Sequence, residues 1–154
     1  MTDCILEFCR LDPQWQESLA EFFSRLALDP TARFFHPHPF DSTHAARYAN
    51  FPGHDLYYVA VCSNNVLAYG MLRGWNDGFD VPSLGIALDR VVRNKGLGKT
   101  FMHFLHAAAR MRGAAKIRLK VHPDNQPALG LYRQLGYHFE DHLSDELVGV
   151  LDLE

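Results

Sequence analysis

Arg93-Asn94-Lys95-Gly96-Leu97-Gly98-Lys99-Thr100 sets two glycines among three cations and a hydroxyl. Glycines let a backbone approach a ligand closely, and N–H groups that open a helix favour negative charge. Such a loop can wrap a phosphate or pyrophosphate, with Arg93, Lys95 and Lys99 adding positive charge. The competing explanation is a tight turn whose basic side chains are solvated. Two other phosphate-binding patterns fit less well. A P-loop needs a glycine five residues before Gly98, where Arg93 stands, and a dinucleotide fingerprint needs one at position 101, where Phe101 stands.

The elements around this loop follow from pattern and punctuation. Ser83 to Leu88 reads as a strand leading into the loop, and Phe101, Leu105, Ala108 and Ala109 form the apolar face of the helix that leaves it, ending at Gly113. Upstream, Cys4 to Leu11 reads as a strand. Asp12-Pro13 opens a helix carrying Trp15, Leu19, Phe22, Phe23 and Leu26. The stretch 29–40, with prolines at alternate positions in its second half, is expected to be an irregular loop, and a short helix is expected over Ser42 to Ala49. Leu56–Cys62 and Val66–Leu72 are rich in strand formers and joined by Ser63-Asn64-Asn65, a hairpin. Ile117 to Val121 is a further strand. A helix carrying Ala128, Leu131, Tyr132 and Leu135 is closed by Gly136, and Tyr137–Leu143 with Leu147–Leu153 would form a final hairpin. The element order predicts an α/β (α+β) sheet with helices on both faces.

A second motif follows the loop: Asn125-Gln126-Pro127-Ala128-Leu129-Gly130-Leu131-Tyr132, then Leu135-Gly136-Tyr137. With Arg93-x-x-Gly96-x-Gly98 before it, the chain resembles the GNAT superfamily of N-acetyltransferases from about Leu56 to Leu153. The resemblance implies a mixed, mostly antiparallel sheet of six to seven strands whose fourth and fifth strands splay apart. It implies acetyl-CoA or another acyl-CoA as co-substrate. The backbone of Ile86, Ala87 and Leu88 would hold the pantetheine arm. Arg93, Asn94, Lys95, Gly96, Leu97, Gly98, Lys99 and Thr100 would form the pyrophosphate loop, and Asn125 would touch the cofactor arm. Tyr132 matches the family's usual general acid, and an amide near Leu88 would serve as oxyanion donor. Two departures stand out: Arg90 and Val92 replace a common proline and aromatic, and Asn94 a common glycine. Neither removes a backbone donor.

The base that takes the amine proton is not fixed by the sequence: the resemblance implies an acid on the fourth strand, and Ser83 to Leu88 carries none. Asp77, Asp80, His122, His36, His38 and a water relay all remain candidates. The resemblance places the acceptor under the loops 29–53 and 74–82, where Phe34 to Phe40 and Trp75, Asp77, Phe79 and Asp80 offer rings and carboxylates. A small-molecule amine such as an amino sugar suits them, with a protein or peptide amine and a non-catalytic acyl-CoA-binding module as alternatives.

Composition sets the outer limits. The 154 residues (17.5 kDa, 47% hydrophobic) suit one acyltransferase domain over 1–154, and a net charge of −3 gives no footprint for nucleic acid. No apolar run reaches the ~18 residues of a membrane span, and Met1-Thr2-Asp3-Cys4 lacks a signal peptide's positive start, so a cytoplasmic protein is expected. Three cysteines without CxxC spacing argue for reduced thiols rather than a disulfide framework. Nine histidines lack a recognised zinc spacing, so no metal is expected. A homodimer through the last strands stays open.

Overall fold

Each element begins and ends where its residues require. In the computed structural model, which describes residues 3–140 and 145–154, Asp12 accepts from the Gln14 N–H and opens a short 3-10 turn that runs into α1 (Gln16–Ala27). Asp41 caps α2 (Ser42–Ala49) by accepting from the His44 N–H. Strands β1 (Leu6–Arg10), β2 (Leu56–Cys62), β3 (Asn65–Arg73) and β4 (Ser83–Leu88) follow one another antiparallel. Ser63 and Asn64, at φ 50° and 68°, make the two-residue turn between β2 and β3. Then come α3 (Leu97–Met111), β5 (Lys116–Val121), α4 (Gln126–Gln134), β6 (His138–Glu140) and β7 (Leu147–Asp152). Part of the expected 137–143 strand, with His142, lies outside the described residues.

The seven strands form one sheet in the order β1-β2-β3-β4-β5-β7-β6. Every pairing is antiparallel except β4 with β5, which is parallel and rests on the single register pair Ser83↔Arg118. One face is covered by α1 and α2: Leu19, Phe22, Phe23 and Leu26, at helical spacing, pack with Val59, Val61, Tyr69 and Met71. The other face is covered by α3 and α4, with Phe101, Met102, Leu105 and Leu129 over Ala60, Leu72, Ile117 and Leu119. Burial of this kind contributes about 25 cal/mol per Å² of apolar surface and sets the sheet as a rigid frame.

Two features depart from expectation. The 29–40 segment is not wholly irregular, since Pro30–Phe34 forms a 3-10 turn. The cysteines are not all reduced either: Cys4 and Cys62 are joined, with their Cα atoms 5.5 Å apart, while Cys9 is free. An odd count says nothing about register. The Leu6↔Cys62 pairing of β1 with β2 carries the preceding Cys4 to the end of β2.

Candidate active site

The site grows from the place where β4 leaves β5. Asp89 N–H donates to Leu67 O at 2.9 Å, and the register pairs Tyr69↔Ala87, Met71↔Gly85 and Arg73↔Ser83 continue that phase. Alternation along the ladder turns the backbone groups of Ser83, Gly85 and Ala87 toward β3, and those of Leu84, Ile86 and Leu88 toward β5. There, Arg118 N–H donates to Pro82 O at 3.0 Å, and beyond Ser83↔Arg118 the pairing stops. The N–H and C=O of Ile86 and the N–H of Leu88 are left without a strand partner. Ala87, expected among the backbone contacts, spends its own groups on β3 and offers only its side chain.

A cavity of about 590 Å³ lies along this free edge. Ile86, Ala87 and Leu88 line it on the strand side; Arg93, Asn94, Gly96, Gly98 and Lys99 line it from the loop, and Asn125 and Tyr132 from the α4 side. Asn94 (φ 61°) and Gly96 (φ 83°) adopt left-handed backbone, which curls the loop onto the start of α3. A Cβ on Gly96 would meet nothing within 4 Å, and one on Gly98 would come no nearer than 3.6 Å, to Leu88 Cδ2. The protein's own packing therefore does not require Gly98 to be bare. The space it leaves suits a ligand approaching the helix amides.

Not every expected loop residue faces this cavity. Leu97 is buried in the core, Lys95 Nζ donates to Val91 O at 2.7 Å, and the Thr100 N–H is used on Gly96 O. None of the three lines the cavity, which leaves Lys99 as the loop cation without a protein partner among the described residues. Arg93 is committed as well. Its Nη2 donates to Asp29 Oδ2 at 2.6 Å and to Leu88 O at 2.8 Å. Desolvation opposes the charge on Asp29, but its hydrogen bonds from Arg93 and Thr31 outweigh that and hold its carboxyl below the usual range. A second pair, Arg25–Asp89 at 2.6 Å, joins the same two elements. The end of α1 is thus stapled twice to the β4–α3 turn.

Tyr132 projects from α4, whose N-cap Asn125 accepts from Ala128 N–H at 3.4 Å, so Asn125 supports the helix as well as lining the cavity. Burial pushes the Tyr132 phenol up to about 12, which keeps it protonated at neutral pH.

Phe34 and Phe35 divide this cavity from a second one of about 500 Å³ at the other end of β4, for they line both. Phe35 reaches the sheet because Gly85 has no side chain: a Cβ there would lie 3.0 Å from Phe35 Cε1 and 2.9 Å from Met71 Cγ. Arg33, His36, Arg73, Lys120, His122 and Asp145 are among the residues of the second cavity.

This sorts the candidate bases. Asp77 and Asp80 line neither cavity; Trp75 and Asp80 belong to a separate cleft with His54 and Arg112. His38 is held between Pro39 O, at 2.7 Å from Nδ1, and the Tyr69 hydroxyl, at 2.9 Å from Nε2. Burial first, then the charge of Arg73, lowers its pKa to about 4. It is a neutral structural residue. His36 and His122 do line the second cavity. His122 Nδ1 accepts from Asp124 N–H at 3.1 Å, which assigns its neutral ring proton to Nε2. His36 Nε2 lies against Arg33 O and donates to it, so its Nδ1 keeps a lone pair.

The sequence did not single out Asp29, Arg73 or Lys120. Asp29 appeared only as the start of the 29–53 loop, and the two cations are ordinary strand residues until the sheet sets them along one cavity.

Comparison with known proteins agrees with this geometry. The model of the acetyltransferase (GNAT) family matches residues 7–137. The chain belongs to that family, and acyl transfer from acetyl-CoA is the family's general chemistry. Among solved structures, the GNAT domain of S. lividans PAT superposes with a TM-score of 0.82 at 14% identity, covering 96% of this chain and 90% of that one. A GNAT-family acetyltransferase from Streptococcus pneumoniae gives 0.78 at 16% identity over 96% and 99% of the two chains. The ribosomal-protein-S18-alanine N-acetyltransferase from Escherichia coli gives 0.74 at 19% over 97% and 94%. At these identities the likeness is one of fold.

Proposed function

We propose that the chain, as one domain, transfers an acyl group, acetyl in the simplest case, from acyl-CoA to the primary amine of a small molecule by direct attack in a ternary complex. The observation that carries this is the convergence on one cavity of a free strand edge, a glycine loop at a helix start and a protonated tyrosine. Ile86 would pair with the pantetheine amides, and the loop amides with Lys99 would hold the pyrophosphate. As the amine nitrogen bonds to the thioester carbon, the Leu88 N–H would receive the oxygen's growing charge. The carbon–sulfur bond then breaks, and Tyr132 gives its proton to the departing thiolate. The proton lost by the amine passes to His36 Nδ1 or to water, and the tyrosine is reprotonated from solvent.

The acceptor would enter through the second cavity. Its size suits a small molecule, whereas likeness to the E. coli enzyme named for a ribosomal-protein alanine supports a protein amine as the second reading. Incubation with acetyl-CoA and a panel of amines and peptides, read by CoA release and product mass, tests this. Transfer to small amines is expected. Binding of acetyl-CoA with no transfer to any acceptor would overturn catalysis in favour of a binding module.

A further inference from the structure

The second cavity carries more positive charge than its own carboxylates answer. Arg73, at the end of β3, is half-buried. Its Nη1 donates to Pro37 O at 3.1 Å, and among the described residues no carboxylate pairs with it. Arg33 and Lys120 line the same cavity and likewise have no carboxylate partner among the described residues. The contrast with Arg25 and Arg93 is direct, for both of those are bonded to a carboxylate at 2.6 Å. A guanidinium drawn partly out of water and fixed on one side by a backbone carbonyl keeps its remaining donors for an anion. The carboxylates of the cavity, Asp145 and Glu146, sit just before β7, and β4 and β5 lie between that strand and β3. Arg73 and the carboxylates are therefore supplied by different parts of the sheet, with Lys120 on β5 beside the carboxylates.

We propose that the acceptor is an amine that also carries an anionic group, a carboxylate or a phosphate, which Arg73 receives at the β3 end of the cavity. This rests on the acyl-transfer reading and narrows its substrate class. Fixing the anion at Arg73 orients the molecule along β4 and turns its amine toward the Phe34–Phe35 boundary, where the thioester would lie. A neutral amine has nothing to hold it there, and a polycation is repelled.

The test uses matched pairs with acetyl-CoA: glycine against ethylamine, phosphoethanolamine against ethanolamine, and glucosamine 6-phosphate against glucosamine, with spermidine and a neutral peptide alongside. The anionic member of at least one pair is expected to be favoured about tenfold or more in kcat/KM, as suits one charged hydrogen-bonding pair. The carboxylate and phosphate arms show which source is used. Arg73→Gln should remove that preference and leave the KM for acetyl-CoA unchanged, and Arg73→Lys should keep part of it. Thermal melting of both variants checks that they fold. Equal use of neutral and anionic members, or a preference that survives in Arg73→Gln, overturns the inference while leaving acyl transfer intact. If no amine is acetylated, acyl transfer fails instead. Calorimetry of glycine and phosphoethanolamine on the CoA-loaded protein then decides the anion site alone: binding weakened by Arg73→Gln supports it, and no binding to the wild type overturns it.

Discussion

The two cavities that meet at Phe34 and Phe35 are made of different materials. Along Ile86 to Leu88 and Gly96 to Gly98, the groups on offer are mainly backbone N–H and C=O, presented by a strand that has lost its neighbour and a helix that has just begun. At the other end of β4, they are the side chains of Arg73, Lys120, His36 and His122. A site built from backbone is fixed by the fold and changes little when side chains change. A site built from side chains can be rewritten position by position. The first kind suits the part of a reaction that a whole family shares, and the second suits the part in which its members differ.

Tyr132 and Lys99 are side-chain exceptions on the backbone side, and Tyr132 offers the largest expected effect. Tyr132→Phe keeps the ring and removes only the donor. Turnover should fall by about 10²–10⁴, the usual contribution of a general acid, while the KM for acetyl-CoA stays nearly constant. A raised KM with unchanged kcat would make the tyrosine a binding group and give the proton to another donor. Asp29→Ala comes next. It removes the partner of Arg93 and the acceptor of the Thr31 N–H and hydroxyl, charged contacts worth about 1–3 kcal/mol. A lower melting temperature and a KM for acetyl-CoA raised about tenfold are expected, since only the Arg25–Asp89 staple then joins the loop to α1. If Tm falls but the KM for acetyl-CoA holds, the staple serves stability alone.

How much of this was legible in the sequence depended on the same division. The strand–loop–helix order, the 83–88 strand and the Gly136 helix end were readable because glycine spacing and apolar period are local signals. The glycine loop was readable for the same reason, whereas Tyr132 stood out only through the resemblance of its helix motif to the GNAT family. What Arg93 does was not, because its partner Asp29 lies 64 residues away and only the packing of α1 on the sheet brings them together. Lys95 and Thr100 looked like phosphate contacts by composition, yet one bonds Val91 O and the other lies within the first helical turn. The Cys4–Cys62 pair and the cations of the second cavity depend on register between strands distant in sequence, which no local pattern encodes.

The histidines repeat the contrast on a smaller scale. His36 and His122 open on the second cavity, whereas His38 and His106 are structural. His106 Nε2 lies 2.7 Å from the Tyr137 hydroxyl. Burial, then the charges of His103 and Arg110, brings its pKa to about 4. In the unfolded chain both structural histidines take up a proton near their ordinary 6.5, and in the fold not until about 4. Between those values the unfolded state binds more protons, so stability is complete above pH 6.5 and is lost as pH falls toward 4. Urea midpoints should decline across that window, and His106→Gln should flatten the decline even where it lowers stability at neutral pH. An unchanged slope would mean that His106 carries its proton in the fold.

The smallest effect is expected at Trp75, which the family resemblance had placed beside the acceptor. The structure instead sets the Arg112 guanidinium 4.8 Å from its ring centroid, while Arg112 Nη1 donates to His54 O at 2.9 Å, in a cleft by the end of α3. Trp75→Ala removes a cation–π contact worth about 0.5–1 kcal/mol, which on a domain of this size lowers Tm by only a few degrees. Acceptor kcat/KM should stay within about twofold, the scale of a surface substitution remote from the chemistry. Asp77→Asn and Asp80→Asn should behave alike, because neither carboxylate lines the cavities along β4. A tenfold loss for the acceptor in Trp75→Ala with Tm unchanged would extend the acceptor path around the start of β4 to the α3 face. The selectivity written in side chains would then begin at Trp75 and not at Arg73.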